Sequence, residues 1–341
     1  MIMKADGISF CVIFYNLKPY VQETLDSILA QNNLKNYEVL LGDDGSNDGT
    51  VELLQEYVNR FPSIFRLFQM PRTSGECDGR KRASSNRLCL LRNAKYKYVY
   101  FLDGDDFMVN ADFASDAIAF LDAHPNVVGH GSGYQEFLNG ELTELHPAKR
   151  QSGYITPDSY LPSSYIHASA FVWRNILNEG KINHMDKHGL FSDAGIVLAY
   201  MQEGPIYFER KTSFAYRQME ASIWTSHTDI EKAADAATQL QQWLHMAPEY
   251  SKLLILQSHH SIRTCFKSRK KLLNLLSKSI YNRCSRTIEK NNDKFMYNLL
   301  NWPSISLSSQ LWTTFRYLQY EAISKMEQFR IKASTKKKKI N

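Results

Sequence analysis

Three carboxylates fall within four consecutive residues in the segment Asp103-Gly104-Asp105-Asp106. They directly follow an apolar run at 98–102, whose aromatic and branched side chains are typical of a buried strand. Neighbouring carboxylates repel one another unless water or a cation compensates their charge. Their hard oxygen ligands suit Mg²⁺ or Mn²⁺, which commonly take further ligands from substrate phosphates. The simpler alternative is an exposed acidic turn that caps the next helix, because Asp is also a favoured turn and N-cap residue.

A second acidic turn at 43–49 (Asp-Asp-Gly-Ser-Asn-Asp-Gly) also follows an apolar run. The predicted elements of the first 110 residues are, in chain order, strands at 8–15, 37–41, 65–68 and 98–102 and helices near 20–31, 50–60 and 84–94. This alternation predicts right-handed βαβ units and a parallel sheet. Ligands bind outside the carboxyl ends of strands in such sheets, where both acidic turns are placed, so their position favours the metal interpretation.

Four segments of the chain resemble motifs of the family 2 glycosyltransferases. Residues 8–16 resemble the family's first strand, 27–31 (Ser-Ile-Leu-Ala-Gln) its Ser-Ile-Leu-x-Gln helix end, 43–46 its Asp-Asp-Gly-Ser turn and 101–106 (Phe-Leu-Asp-Gly-Asp-Asp) its metal motif. The motifs occur in the family's order and cover roughly the first 110 residues. The resemblance implies a GT-A fold, an α/β architecture with a mostly parallel central sheet flanked by helices. It also implies a metal-dependent, inverting transferase of the bacterial surface-polysaccharide or lipopolysaccharide type.

The resemblance implies roles in nucleotide-sugar binding for five residues. Tyr15 would lie close to the nucleotide base, and Asp44 would contact the base or the ribose. Asp103 would hydrogen-bond the ribose. Arg87 would neutralise phosphate or orient the base, and Arg217 would meet phosphate or close a lid over the donor. The resemblance is loose around Arg87, and a nearby basic residue, Lys81 or Arg82, is the alternative there. The two outer acids of the first turn, Asp43 and Asp48, are expected to shape that turn.

The resemblance also implies a metal site and a catalytic base. Asp105 would be the direct ligand of Mn²⁺ or Mg²⁺, with Asp106 beside it. An inverting transfer needs a base for the attacking acceptor hydroxyl, and a metal can stabilise the charge on the leaving diphosphate. Asp193 lies 88 residues after Asp105 and opens a helix predicted to be amphipathic, as the family's catalytic Asp does. Asp186 is the second candidate for the base.

The expected reaction moves one sugar, a hexose or an N-acetylhexosamine, from a UDP-sugar to a hydroxyl of a lipid-linked or cell-surface oligosaccharide. The chain lacks the Gln-x-x-Arg-Trp motif of processive synthases, which favours transfer of a single sugar. Acceptor contacts are expected within 130–190, where His167, Trp173 and Tyr165 are available. Apolar sugar faces stack on aromatic rings, although a tryptophan in mid-chain can equally belong to the core.

Strand patterns end near Asp229, so two domains are predicted. Residues 1–228 would form the catalytic domain, with 1–110 binding the nucleotide-sugar and 111–228 supplying the acceptor side and the base. Residues 229–341 would form a basic helical module.

The charge of the helical module is strongly asymmetric. Residues 252–290 contain ten Lys or Arg and one acid, and the chain carries a lysine run at 336–339. This charge suggests an anionic membrane surface as a partner, while a helical subdomain with its charges in solvent is the alternative. Nucleic acid is not expected, because no nucleic-acid-reading motif accompanies the basic residues.

The cysteine content and the hydrophobic pattern suggest where the protein acts. The five cysteines are odd in number and widely spaced, which favours a reducing compartment. We find neither the apolar stretch of a signal peptide nor a run of about 18 apolar residues. The expected location is the cytoplasm, with peripheral association at the inner face of the plasma membrane.

Two other functional classes compete with glycosyl transfer. Sugar-1-phosphate nucleotidyltransferases use a related sheet but typically have a Gly-x-Gly-x-Arg loop after the first strand, and residues 15–18 contain no glycine. A non-catalytic relative that kept the fold and docks on membranes is the second alternative. Nucleotide binding distinguishes that relative from an enzyme.

Overall fold

The computed structural model describes residues 4–70, 79–148, 150–161, 166–219, 227–276, 284, 288 and 293–338. Contacts between residues divide the chain into two compact units. The first contains Met1–Thr156 and Tyr165–Met219, and the second contains Pro157–Ser164 and Glu220–Asn341. The residues with the chemistry predicted above all belong to the first unit.

Four parallel strands form one half of the sheet in the first unit. They are β1 (Ala5–Phe14), β2 (Tyr37–Asp43), β3 (Phe65–Gln69) and β4 (Tyr96–Asp103), in the spatial order β3-β2-β1-β4. Ile13 of β1 is the register partner of both Gly42 and Asp103. The carboxyl ends of β2 and β4 therefore lie on either side of the end of β1. The fold brings the two acidic turns together.

The other half of the sheet is mixed. Its strands are β5 (Phe107–Met108), β6 (Gly129–Leu138), β7 (Glu141–His146), β8 (Gly153–Ile155), β9 (Phe171–Arg174) and β10 (Ile206–Arg217). Strand β9 is antiparallel to both β4 and β6, while β10 is parallel to β6 and antiparallel to β5 and β8. The predicted fold class is confirmed as a mixed sheet flanked by helices, in which the half that the sequence motifs cover is entirely parallel.

Several α-helices in the described part of the first unit accompany the sheet. They are α1 (Val21–Leu29), α2 (Thr50–Arg60), α3 (Gly79–Asn93), α4 (Phe113–Ala123), α6 (Glu179–His188) and α7 (Asp193–Met201), with the short α5 (Pro157–Tyr160) assigned to the second unit. Helix α1 buries Val21, Leu25 and Ile28 on one face, as an amphipathic helix does. Helix α7 is different, because every residue from Gly195 to Met201 is buried. The prediction that α7 is amphipathic was wrong, since this helix is enclosed on all sides.

Trp173 of β9 belongs to the core. Its side chain is fully buried and stacks on Tyr200, with ring centroids 4.5 Å apart, and on Phe171 at 5.2 Å. Its indole Nε1 donates to the carbonyl oxygen of Ala168 at 3.3 Å. Trp173 is therefore unavailable to an acceptor sugar, and the core alternative holds. Tyr165, the other aromatic candidate, lies outside the described residues.

The second unit is helical in its described part, as the change of sequence pattern predicts. Its longer helices are α8 (Asp229–Met246), α9 (Ser251–Ser268), α10 (Lys294–Leu300) and α11 (Leu307–Lys338). Helix α8 begins with a capping box, in which Thr228 and Glu231 satisfy each other's backbone N–H groups. Among the described residues, we find no helix that combines the length and apolar character needed to cross a bilayer.

A buried histidine makes the stability of the first unit depend on pH. His130 is 3% exposed, and its ring stacks on Phe120 with centroids 4.2 Å apart. Burial lowers the pKa of His130 to about 4, against an ordinary value near 6.5. The unfolded chain therefore binds more protons between these two pH values, and stability falls as the pH drops through that window.

We expect His130 to contribute a loss of roughly 2–3 kcal/mol in the free energy of unfolding between pH 7 and pH 4.5. His130→Phe keeps an aromatic ring against Phe120 but removes the titrating group. Urea unfolding at pH 7 and at pH 4.5 should show a smaller decrease for the variant than for the wild type. Equal decreases would contradict the assignment.

Candidate active site

Both acidic turns are fastened to the end of β1 by backbone hydrogen bonds. The N–H of Asp44 donates to the carbonyl oxygen of Phe14, and the N–H of Gly104 donates to that of Ile13, each at 2.9 Å. The backbone approaches so closely that a Cβ on Gly104 would lie 2.3 Å from the ring of Phe14. Only glycine fits between Asp103 and the two other acids of its turn.

The two outer acids of the first turn shape it, as predicted. Asp43 accepts hydrogen bonds from the backbone N–H of Gly45 at 2.8 Å and of Ser46 at 3.0 Å. Asp48 accepts from the N–H of Thr50 at 3.0 Å and from its hydroxyl at 2.5 Å. Both carboxylates accept hydrogen bonds that stabilise the turn. Asp44 is therefore the acid of this turn with another role.

Two arginines of α3 each pair with one acidic turn. Arg82 donates through Nε to Asp44 Oδ2 at 2.8 Å and forms a second contact with the other oxygen of the same carboxylate. Arg87 NH2 lies 2.5 Å from Asp103 Oδ1. The sequence offered Arg82 only as an alternative to Arg87, but the structure brings both beside the strand ends. Two guanidinium groups at this place can neutralise a diphosphate.

The remaining donor-side candidate is Tyr15, which directly follows β1. Its side chain is 42% exposed, so its ring presents a surface at the same end of the sheet as Asp44. An exposed aromatic ring in this position can stack on a nucleotide base.

Arg217 holds the second acidic turn from the end of β10. Its backbone N–H donates to Asp106 Oδ1 at 2.9 Å, and its Nε donates to the backbone oxygen of Asp105 at 2.8 Å. Its guanidinium also pairs with Glu23 and lies 4.8 Å from the centre of the Tyr20 ring. Arg217 therefore braces the turn in this structure, and a phosphate contact remains a prediction.

The like charges of the acidic turn repel one another in surroundings that are largely buried. Burial, together with the neighbouring charge of Asp103, raises the pKa of Asp105 to about 6. Burial also raises the pKa of Asp106 well above its ordinary range, and the charges of Asp105 and Asp103 add to this effect. Asp106 Oδ2 is buried without a hydrogen-bond partner among the described residues. A divalent cation would compensate the repulsion between the carboxylates and give Asp106 Oδ2 a partner, so the turn fits the predicted metal.

His167 joins this cluster from the segment before β9. One ligand atom each of Asp103, Asp106 and His167 lie within 4.8 Å of one another, which is a spacing that one metal ion can bridge. His167 is buried, and its Nδ1 accepts from the N–H of Ser169 at 3.3 Å. From the sequence, His167 is a candidate for acceptor contacts and not for the metal site. No local spacing could have placed it here, because it lies 61 residues after Asp106.

Asp193 lies beside His167 as the first residue of α7. Its Oδ1 is 3.7 Å from His167 Nδ1, and its side chain is partly exposed. The pKa of Tyr134 is raised to about 12 by burial first, then by the charges of Glu136 and Asp193. The charge of Asp193 also helps to raise the pKa of Asp106, which places the carboxylate near the acidic turn.

The alternative base, Asp186, is used to join two helices. It accepts from the hydroxyl of Ser85 at 2.6 Å and pairs with Arg92 at 3.0 Å, which connects α6 to α3. Its contacts are structural. Of the two candidates, Asp193 is the one that shares a neighbour with the acidic turn.

Comparison with known proteins identifies the family of this chain. The sequence model described as Glycosyl transferase family 2 matches residues 9–180. An uncharacterized protein of Mycobacterium bovis is 25% identical over 226 residues, which cover 66% of this chain and 62% of that protein. The poly(ribitol-phosphate) beta-N-acetylglucosaminyltransferase TarS of Staphylococcus aureus is 32% identical over 117 residues, 34% of this chain and 19% of TarS. The chain thus spans less than two thirds of these relatives.

Solved structures show the same fold at low sequence identity. The crystal structure of S. aureus TarS 1-349 in complex with UDP-GlcNAc superposes with a TM-score of 0.58 at 16% identity, covering 94% of this chain and 92% of that one. The mannosyltransferase PcManGT from Pyrobaculum calidifontis, in complex with GDP-Man and Mn2+, gives 0.50 at 14% identity, covering 95% and 87%. The family match contains both acidic turns and half of the chain, and this chain belongs to glycosyl transferase family 2.

Proposed function

We propose that this chain transfers one sugar from a UDP-sugar to a hydroxyl group of a lipid-linked or cell-surface oligosaccharide, with inversion at the anomeric carbon. One observation carries the proposal. One ring nitrogen of His167 lies within 4.8 Å of oxygens of Asp103 and Asp106, and its Nδ1 is 3.7 Å from Asp193 Oδ1, so a candidate metal site and a candidate base share a neighbour. Family membership favours glycosyl transfer over nucleotidyl transfer.

The donor would bind across the ends of β1, β2 and β4. Asp44, held by Arg82, would contact the base or ribose, and Tyr15 offers a ring for stacking. Asp103 would hydrogen-bond the ribose, while Arg87 supplies positive charge beside the diphosphate. A UDP-sugar is favoured because the relative TarS is named as an N-acetylglucosaminyltransferase, and because the crystal structure of TarS 1-349 is a complex with UDP-GlcNAc.

Mn²⁺ or Mg²⁺ would be held at the acidic turn. Asp105 and Asp106 are the ligands that the sequence predicts, and Asp103 and His167 lie close enough to Asp106 to share an ion with it. When bound, the ion would stabilise the negative charge that develops on the departing diphosphate. The Mn2+ of the mannosyltransferase structure supports this choice of ion.

Asp193 would act as the general base. The acceptor oxygen forms a bond to the anomeric carbon as the bond from that carbon to the diphosphate oxygen breaks. The hydroxyl proton passes to the Asp193 carboxylate, and the leaving diphosphate keeps the electron pair. A single displacement of this kind inverts the anomeric centre. The carboxylate is partly exposed at the start of α7, where an acceptor can approach it.

Nucleotide-sugar binding and turnover test this proposal directly. We expect titration calorimetry to detect at least one UDP-sugar that binds only with Mn²⁺ or Mg²⁺, and slow release of UDP in the same mixture. Release of pyrophosphate from a nucleoside triphosphate and a sugar phosphate would instead indicate nucleotidyl transfer. Failure to bind any nucleotide-sugar or nucleotide would favour the non-catalytic alternative.

The roles of the two domains and the place where the protein acts follow from the same proposal. We propose that residues 1–228 carry the reaction and that 229–341 serve as an accessory basic module. A lipid-linked acceptor would require the protein to work at the inner face of the plasma membrane.

A further inference from the structure

One face of helix α11 is buried against its neighbours. Its residues Thr313, Tyr320 and Ser324 are at most 2% exposed. Beside them, the ring of Tyr317 stacks on Phe266 of α9 with centroids 3.9 Å apart. These contacts fix the orientation of α11 on its neighbours within the second unit.

The opposite face of α11 is apolar and exposed. We call it the apolar stripe. Its large residues are 57–77% exposed: Leu307, Leu311, Phe315, Leu318, Met326 and Phe329. Together with Ala322, which is also exposed, they recur every three or four positions along the helix. At about 1.5 Å per residue, the stripe is roughly 33 Å long. A continuous exposed apolar surface of this kind usually marks a binding surface.

The charges next to the apolar stripe are basic. Lys325 and Lys332 are exposed. The two acids of α11 have partners: Glu321 binds His259 at 2.8 Å, and Glu327 is buried against Arg330. The exposed charge that accompanies the stripe is therefore positive.

The apolar stripe and its lysines together favour an anionic membrane over a second copy of the chain as the binding partner. A second copy of the chain docked through the same stripe would bring lysines against lysines, which opposes association. An anionic bilayer satisfies both features, because apolar side chains enter the boundary between headgroups and acyl chains while lysines meet the anionic headgroups.

We propose that α11 docks the protein on an anionic membrane by inserting the apolar stripe at the interface, with the helix lying in the plane of the bilayer. The stripe lies on the face of α11 opposite to Tyr320, so insertion leaves the packed face intact. The inference does not depend on the reaction proposed for the first unit.

Vesicle co-sedimentation of the full chain tests the proposal. We expect binding to phosphatidylcholine vesicles that contain about 30% phosphatidylserine, and binding weaker by roughly tenfold or more to phosphatidylcholine alone. The double variant Phe315→Ser/Phe329→Ser should lose roughly tenfold or more of its affinity for anionic vesicles. The matched control Tyr297→Ser removes an exposed aromatic side chain of α10 that lies off the stripe, and should bind like the wild type.

Three further outcomes decide the matter. Circular dichroism and nucleotide binding of the double variant should equal those of the wild type, which separates loss of docking from loss of folding. A wild type that ignores anionic vesicles overturns the proposal. So does a wild-type dimer in light scattering that the double variant converts to a monomer, because the occupant would then be a second copy.

Discussion

Asp193→Asn is expected to lower kcat by roughly 10²–10⁴-fold, the usual contribution of a general base, while the Kd of the donor changes little. Asparagine has the same shape and keeps a polar side chain at the start of α7, but it cannot take the proton of the acceptor hydroxyl. The donor side of the site, built from the two acidic turns and the arginines of α3, is not altered. Initial rates and calorimetric donor affinity measured on the same preparation separate the two effects.

Asp186→Asn is the matched control for this experiment. Asp186 pairs with Ser85 and Arg92, so its loss should lower the unfolding temperature and leave kcat within about twofold. If Asp186→Asn abolished turnover while Asp193→Asn remained active, the base would be misassigned. The two substitutions remove the same chemical group, so their contrast reports position alone.

The parallel half of the sheet and its two turns could be predicted because their signals are local. An apolar run, a turn and a helical period are read within about ten residues, and the observed α2 has the predicted bounds, Thr50–Arg60. Asp43 and Asp48 were predicted to shape their turn for the same reason, since each binds backbone only two or three residues away.

The site could be predicted only as a set of separate parts. His167 reaches the acidic turn from a segment far along the chain, and Arg82 reaches Asp44 across 38 residues. Periodicity gave neither contact, because it reports which residues share a face and not what that face meets. The same limit explains α7, whose second face is covered, and α11, whose second face is exposed.

Replacing the acids of the second turn should separate metal binding from fold stability. We expect Asp105→Asn to abolish the rise in unfolding temperature that Mn²⁺ gives the wild type, and to lower kcat by roughly 10²-fold or more. Asp106→Asn should also lose the response to Mn²⁺. Without metal, however, it should unfold at the same or a higher temperature than the wild type. Asparagine can still accept from the N–H of Arg217, and a buried negative charge beside two others disappears.

The control for the metal experiment lies in the other acidic turn. Asp44→Asn should weaken donor binding, because it loosens the pair with Arg82, yet it should retain the Mn²⁺ response in the absence of donor. Thermal unfolding with EDTA, with Mn²⁺ and with Mn²⁺ plus UDP distinguishes the three variants. If both Asp105→Asn and Asp106→Asn kept the Mn²⁺ response, the ion would bind somewhere other than this turn. If Asp106→Asn gains stability and loses metal binding, the carboxylates of this turn repel one another at a cost in stability and are kept because they bind the ion.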